Sequence, residues 1–124
     1  FGAIKLSELN VGIGPFVVGP AVQRKLGVSG MSQIAIDANS FYSAEWAKDK
    51  GLYAQVFEST EELDAGVKSF AEHLATYNPE AMKEMKAMFW AGTEHWDELL
   101  AERAAISGRL VLSEFTKETL KRFK

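Results

Sequence analysis

Apolar positions in the second half of the chain recur at helical intervals. Leu63, Val67, Phe70, Leu74 and Tyr77 follow one another at steps of four, three, four and three, which predicts a helix with one apolar stripe. Ser59-Thr60-Glu61-Glu62 starts it as a capping box, and Asn78-Pro79 ends it. Pro79 opens a second helix whose inward face is Met82, Met85 and Phe89, with Met88 beside it. After Gly92, Thr93 is expected to cap a third helix with Trp96, Leu99, Leu100 and Ala104 inward. Residues 110–112 continue apolar, and Phe115, Leu120 and Phe123 pattern a last helix.

The first half is more broken. Residues 1–6 alternate weakly and predict a short strand with Ile4 and Leu6 on one face. Residues 7–14 read as a loop. Then either Pro15 opens a helix or Pro20 sits in the first turn of residues 21–26, closed by Gly27. Residues 29–38 predict a short helix with Met31, Ile34 and Ala35 inward, and Ser43 caps another that Gly51 stops. Residues 52–57 alternate as a second strand, with Leu52, Ala54 and Val56 on one face. Two strands do not close a sheet, so the pattern describes an incomplete α/β domain with a helical, oligomerising second part.

Composition narrows the class. The 124 residues are 47% hydrophobic and 25% charged, the balance of a single globular domain. A net charge of −3 argues against a nucleic-acid partner. The longest apolar run, residues 11–22, is interrupted by glycine and proline and is too short to span a bilayer, so no membrane partner is expected. There is no cysteine, which excludes disulfides and thiolate metal sites. Without a basic, apolar leader the cytoplasm is the default compartment. The chain opens on Phe1 in an apolar segment, which reads as the continuation of something longer.

Chemistry is sparse. Gly12, Gly14 and Gly19 do not match a dinucleotide fingerprint, and neither a phosphate loop nor a nucleophile elbow is present. His73 and His95 stand far apart with no acidic or histidine partner at ligand spacing, so no metal site is expected. The Trp90 and Trp96 pair reads as core or interface. Glu94, Asp97, Glu98 and Glu102 read as a solvated face near a helix start. What remains is Glu8, a carboxylate on the lip of the apolar, glycine-punctuated turn 11–20. Such a group is suited to acid–base work.

Four segments carry a family resemblance. Glu8-x-x-x-Gly12-x-x-Pro15 leads into a helix ending Arg24-Lys25-Leu26-Gly27. Ser43-Ala44-x-x-Ala47-x-x-x-Gly51-Leu52-x-x-x-Val56 follows. Asn78-Pro79-x-Ala81 has Lys86 downstream, and Ser113-x-x-x-x-Glu118-x-x-x-x-Phe123 closes the chain. In that order and spacing they resemble the C-terminal half of the enoyl-CoA hydratase/isomerase (crotonase) family. The resemblance implies an α/β fold: residues 1–57 as the C-terminal part of a ββα spiral, and residues 58–124 as a helical trimerisation region. It implies an acyl-CoA substrate, with coenzyme A as part of the substrate and no separate cofactor, and a homo-oligomer, either a trimer or a dimer of trimers. It matches Glu8 to the second of two catalytic carboxylates, Pro15, Phe16, Val17 and Val18 to the acyl pocket, and Phe123 and Lys124 to coenzyme A contacts. Hydration of a 2-enoyl-CoA is the implied reaction; the alternatives are an enoyl-CoA isomerase or other crotonase-fold lyase, and a non-catalytic oligomerisation fragment. The family's first half, with its two oxyanion amides and the partner glutamate, is not among these residues, so this stretch is expected to be inactive alone. Ser7 stands where proline is commoner, Phe16-Val17-Val18-Gly19 replaces a Gly-Gly turn, and Thr119 stands where glycine is usual.

Overall fold

The computed structural model describes residues 2–123. In chain order the elements are strand β1 (Ala3–Ile4), a 3-10 turn (Glu8–Val11), α1 (Gly19–Ile36), β2 (Tyr42–Ser43), α2 (Ala44–Asp49), α3 (Thr60–Ala75), α4 (Pro79–Trp90), α5 (Trp96–Val111) and α6 (Glu114–Lys121). The chain divides into two compact units, one of Phe1–Gln55 with Glu98–Lys124 and one of Val56–Asp97. No helix among the described residues is long and apolar enough to cross a membrane.

The first unit is built around α1. Gly27, at φ 70° and ψ 173°, breaks this helix into two segments, a backbone state essentially closed to residues with a Cβ. The helix starts at Gly19 with Pro20 in its first turn, so of the two prolines it is Pro20 that opens it. Beyond the break, Met31 and Ile34 point into the core as expected, with Ile34 only 1% exposed. Leu26 joins them, and Ile4, Leu6, Val22, Ala35, Tyr42, Trp46 and Leu52 pack around the three. Tyr42 packs on Trp46 with the rings tilted by 50° and their centroids 4.4 Å apart, and its hydroxyl donates to Asp37 Oδ2 at 3.0 Å. That pair fastens β2 and α2 to the end of α1.

The second strand is not where the alternation of residues 52–57 predicts it. β1 pairs antiparallel with Tyr42–Ser43 instead, Ala3 opposite Ser43 and Ile4 opposite Tyr42. The reason lies at the end of α2. Ser43 caps this helix as expected, accepting from the Trp46 amide, and Gly51 turns the chain back at φ 83°. The Ala47 carbonyl then accepts from both the Leu52 and Tyr53 amides, at 2.8 and 3.1 Å. These groups are spent on a helix terminus, so the following residues have no ladder to join.

The second unit is the α3–α4 hairpin. Ser59 Oγ accepts from the Glu62 amide at 3.1 Å, while Glu62 Oε2 reaches back to the Glu58 amide at 3.2 Å, one residue earlier than the usual capping box. Asn78 caps α4 through the Glu80 amide. The Phe57 ring lies on Gly66, where a Cβ would stand 2.5 Å from it. The expected inward stripes, however, are at the surface. No residue of α3 or α4 is buried, Phe70 is 59% exposed and Met88 73%. Two helices cannot enclose an apolar face on each, because a stripe is covered only by a further layer. Trp90 and Trp96 meet edge to face, 5.8 Å between centroids. Thr93 does not cap α5: the helix begins at Trp96, and the Thr93 hydroxyl donates to the Trp90 carbonyl at 2.7 Å, closing the preceding helix. In α5, Trp96, Leu99 and Leu100 are half-buried and Ala104 is exposed.

Candidate active site

The site grows from the short link after β1. Residues 7–14, read as a loop from the sequence, hold one turn of 3-10 helix that begins at Glu8 and is terminated by Gly12 in the left-handed conformation, φ 80°. Leu9-Asn10-Val11 offers no amphipathic repeat, so one turn is all the segment sustains. Two amides hold the Glu8 end of this turn in place. The Gly12 amide donates back to the carbonyls of Glu8 and Leu9, and the Ile13 amide donates to the Glu8 carbonyl at 3.0 Å.

The turn is held from both sides. On one, the Asn10 side chain donates Nδ2–H to the carbonyl of the buried Ala38, at 2.9 Å, which ties the turn to the chain just past α1. On the other, Phe115 and Thr116 of α6 rest on Gly12: a Cβ there would lie 2.6 Å from Phe115 Cδ1 and 2.6 Å from Thr116 Oγ1. Glycine at position 12 is therefore required twice, by its backbone angle and by the proximity of α6.

Within this frame Glu8 is half-buried, and its Oε2 is buried with no hydrogen-bond partner among the described residues. A buried carboxylate oxygen without a donor loses its hydration and receives nothing in return, which costs stability. Such atoms are rare in folded proteins and concentrate where a group must be ready for a ligand or a proton. The geometry gives Glu8 the capacity to accept a proton or to donate one to an adjacent reacting atom.

The other residues expected at the site fall in three places. Phe16 follows Glu8 closely but folds onto its own turn. Its amide donates to the Gly14 carbonyl at 2.8 Å, and its ring covers Gly14, where a Cβ would lie 2.7 Å from Cζ. Pro15 and Phe16 are half-buried, whereas Val17 and Val18 are exposed at the start of α1. Phe123 lies just beyond α6, 73% exposed, two turns or roughly 10 Å along the helix from Thr116. It is thus remote from the α6 residues that meet the Glu8 turn. Lys124 lies outside the described residues.

Sequence reasoning missed Asn10, Phe115 and Thr116. Phe115 stands in the sequence only as part of the pattern of the last helix; in the structure it is 65% exposed and has one ring edge against Gly12. Thr116 left a faint signal, a small polar residue inside the apolar pattern of the last helix.

No protein-family model matches the chain, and no curated protein sequence does. Solved structures do. An enoyl-CoA hydratase from Mycobacterium avium superposes with a TM-score of 0.86 at 22% identity, covering 98% of this chain and 47% of that one. An enoyl-CoA hydratase/isomerase from Pseudoalteromonas atlantica T6c gives 0.85 at 20% identity, covering 98% and 49%. The chain has the fold of the C-terminal half of these enzymes, as its four sequence segments imply, and it spans about half of their length.

Proposed function

We propose, from the premise that this chain carries the C-terminal half of the enoyl-CoA hydratase/isomerase fold, that it supplies the catalytic carboxylate of an enoyl-CoA hydratase. The observation that carries the proposal is the buried, unpartnered Oε2 of Glu8 at the head of a turn clamped from two sides. The substrate is a 2-enoyl-CoA thioester. In the chemistry the resemblance implies, two backbone amides from the family's first half polarise the thioester carbonyl, and charge gathers on its oxygen as an enolate. Water adds its oxygen to Cβ, with a proton taken up by the carboxylate pair. Glu8 delivers a proton to Cα as the enolate collapses, so one molecule of water is added across the double bond. Pro15 to Val18 line the acyl side of the turn, and Phe123 meets coenzyme A. No cofactor beyond the substrate's own coenzyme A takes part.

The test is to offer the gene product that carries this chain a 2-enoyl-CoA and, separately, a 3-enoyl-CoA, and to identify the products by mass. A product heavier by one water from the first substrate is the expected result. Conversion of the 3-enoyl to the 2-enoyl thioester at constant mass, without hydration, would identify an isomerase in which Glu8 moves a proton alone. Turnover of neither would overturn both enzymatic assignments.

The surface of the α3–α4 hairpin supports the oligomer. Leu74, Tyr77, Met82, Met85, Lys86 and Phe89 line an apolar cleft of about 280 Å³. The cleft lies within apolar stripes that stay exposed along both helices, Val67 and Phe70 on α3 and Met85 and Met88 on α4, a face suited to an interface, and a second copy of the chain is the proposed occupant, in a trimer or a dimer of trimers. Met85 is half exposed, so Met85→Glu is expected to leave the fold intact and to lower the sedimentation coefficient toward that of the single chain. An unchanged coefficient would remove this face from the interface.

A further inference from the structure

Thr116 is, among the described residues, the buried polar side chain, with 0% of its surface exposed. Its place in α6 is fixed by Ser113. The Ser113 hydroxyl accepts from the Thr116 amide at 3.3 Å and donates to Thr116 Oγ1 at 3.2 Å, which sets the first turn of the helix. Held in this way, Oγ1 and the Phe115 ring edge both occupy the space beside Gly12 that a Cβ would need. Gly12 in turn donates its amide to the Glu8 carbonyl. A chain of contacts therefore runs from the start of α6, through Gly12, to the backbone of the carboxylate-bearing residue.

We infer that the first turn of α6 is the positioning element for Glu8, with Thr116 and Phe115 fixing the 3-10 turn that aims the carboxylate. The inference rests on the reading of Glu8 as the proton-transfer group. A threonine suits the contact because a larger side chain would not fit against Gly12, while its hydroxyl is satisfied within α6. Neither Thr116 nor Phe115 touches the reacting atoms; they act through the turn. Proton transfer is steeply sensitive to distance, and a displacement near 1 Å costs on the order of 10²-fold in rate.

The experiment uses the gene product carrying this chain and measures steady-state turnover of a 2-enoyl-CoA. Thr116→Val is expected to lower kcat by about 10- to 100-fold with KM changed by less than about twofold. Thr116→Ser, which keeps the hydroxyl, restores most of the rate. Phe115→Ala lowers kcat in the same way, and because Phe115 is largely exposed its variant keeps the test decisive should Thr116→Val not fold. A double-mutant cycle supplies the readout that a structural role would not move: in a Glu8→Gln background, Thr116→Val has no further effect on the residual rate. Full kcat in both Thr116→Val and Phe115→Ala, beside an inactive Glu8→Gln, would overturn the inference and leave the reading of Glu8 standing. Full kcat in Glu8→Gln itself would overturn that reading instead. An equal loss from Thr116→Val in the wild-type and Glu8→Gln backgrounds would make Thr116 merely structural.

Discussion

Glu8→Gln is expected to lower kcat for hydration of a 2-enoyl-CoA by about 10²- to 10⁴-fold, the range that loss of a positioned general acid–base group produces. The substitution keeps the shape of the side chain and removes only its capacity to carry and release a proton. Its effect on folding should be small and can be stabilising, because the wild-type side chain buries an oxygen with no donor and a neutral amide relieves part of that desolvation. Activity and stability are therefore expected to move apart. Loss of enoyl thioester absorbance measures the first, and urea unfolding followed by circular dichroism the second. A variant as active as the wild type would end the catalytic reading of Glu8.

Gly12→Ala is expected to move both together. The φ of 80° costs a residue with a Cβ about 1–2 kcal/mol. The contacts at 2.6 Å with Phe115 and Thr116 add an overpacking cost of about 1–3 kcal/mol. A total of about 2–5 kcal/mol should appear as a lower urea midpoint, with kcat reduced in the surviving folded fraction because α6 must lift from the turn. An unchanged midpoint would mean that α6 is not seated on Gly12.

The parts of the fold legible in the sequence are those specified locally. Ser43 and Ser59 cap the helices they were expected to cap, Asn78-Pro79 separates α3 from α4 as expected, and Gly27 breaks α1, because caps, prolines and left-handed glycines are written in a few adjacent residues. Met31 and Ile34 face the core because one helical face is enough to specify them. The parts that were not legible depend on distant partners. Residues 52–57 alternate like a strand, but β1 is paired by Tyr42–Ser43, and no property of the segment itself reveals that. The α3 and α4 stripes show which faces are apolar, and nothing local states whether a further layer covers them. Glu8 could be singled out from its turn and from the order of four motifs. Its support by Asn10 and by α6 joins residues far apart in the chain, which a local reading of spacing does not detect.

That support from α6 has a consequence for how the molecule comes into being. Gly12 and Thr116 are separated by roughly a hundred residues, so bringing them together carries a loop-closure entropy of about 4 kcal/mol by the logarithmic law. Contacts of such sequence separation form late in folding. During synthesis the turn around Glu8 emerges long before α6 does. The contact between α6 and Gly12 can therefore form only after the intervening helices are made, and until then the turn has one of its two supports, the Asn10 bond to Ala38.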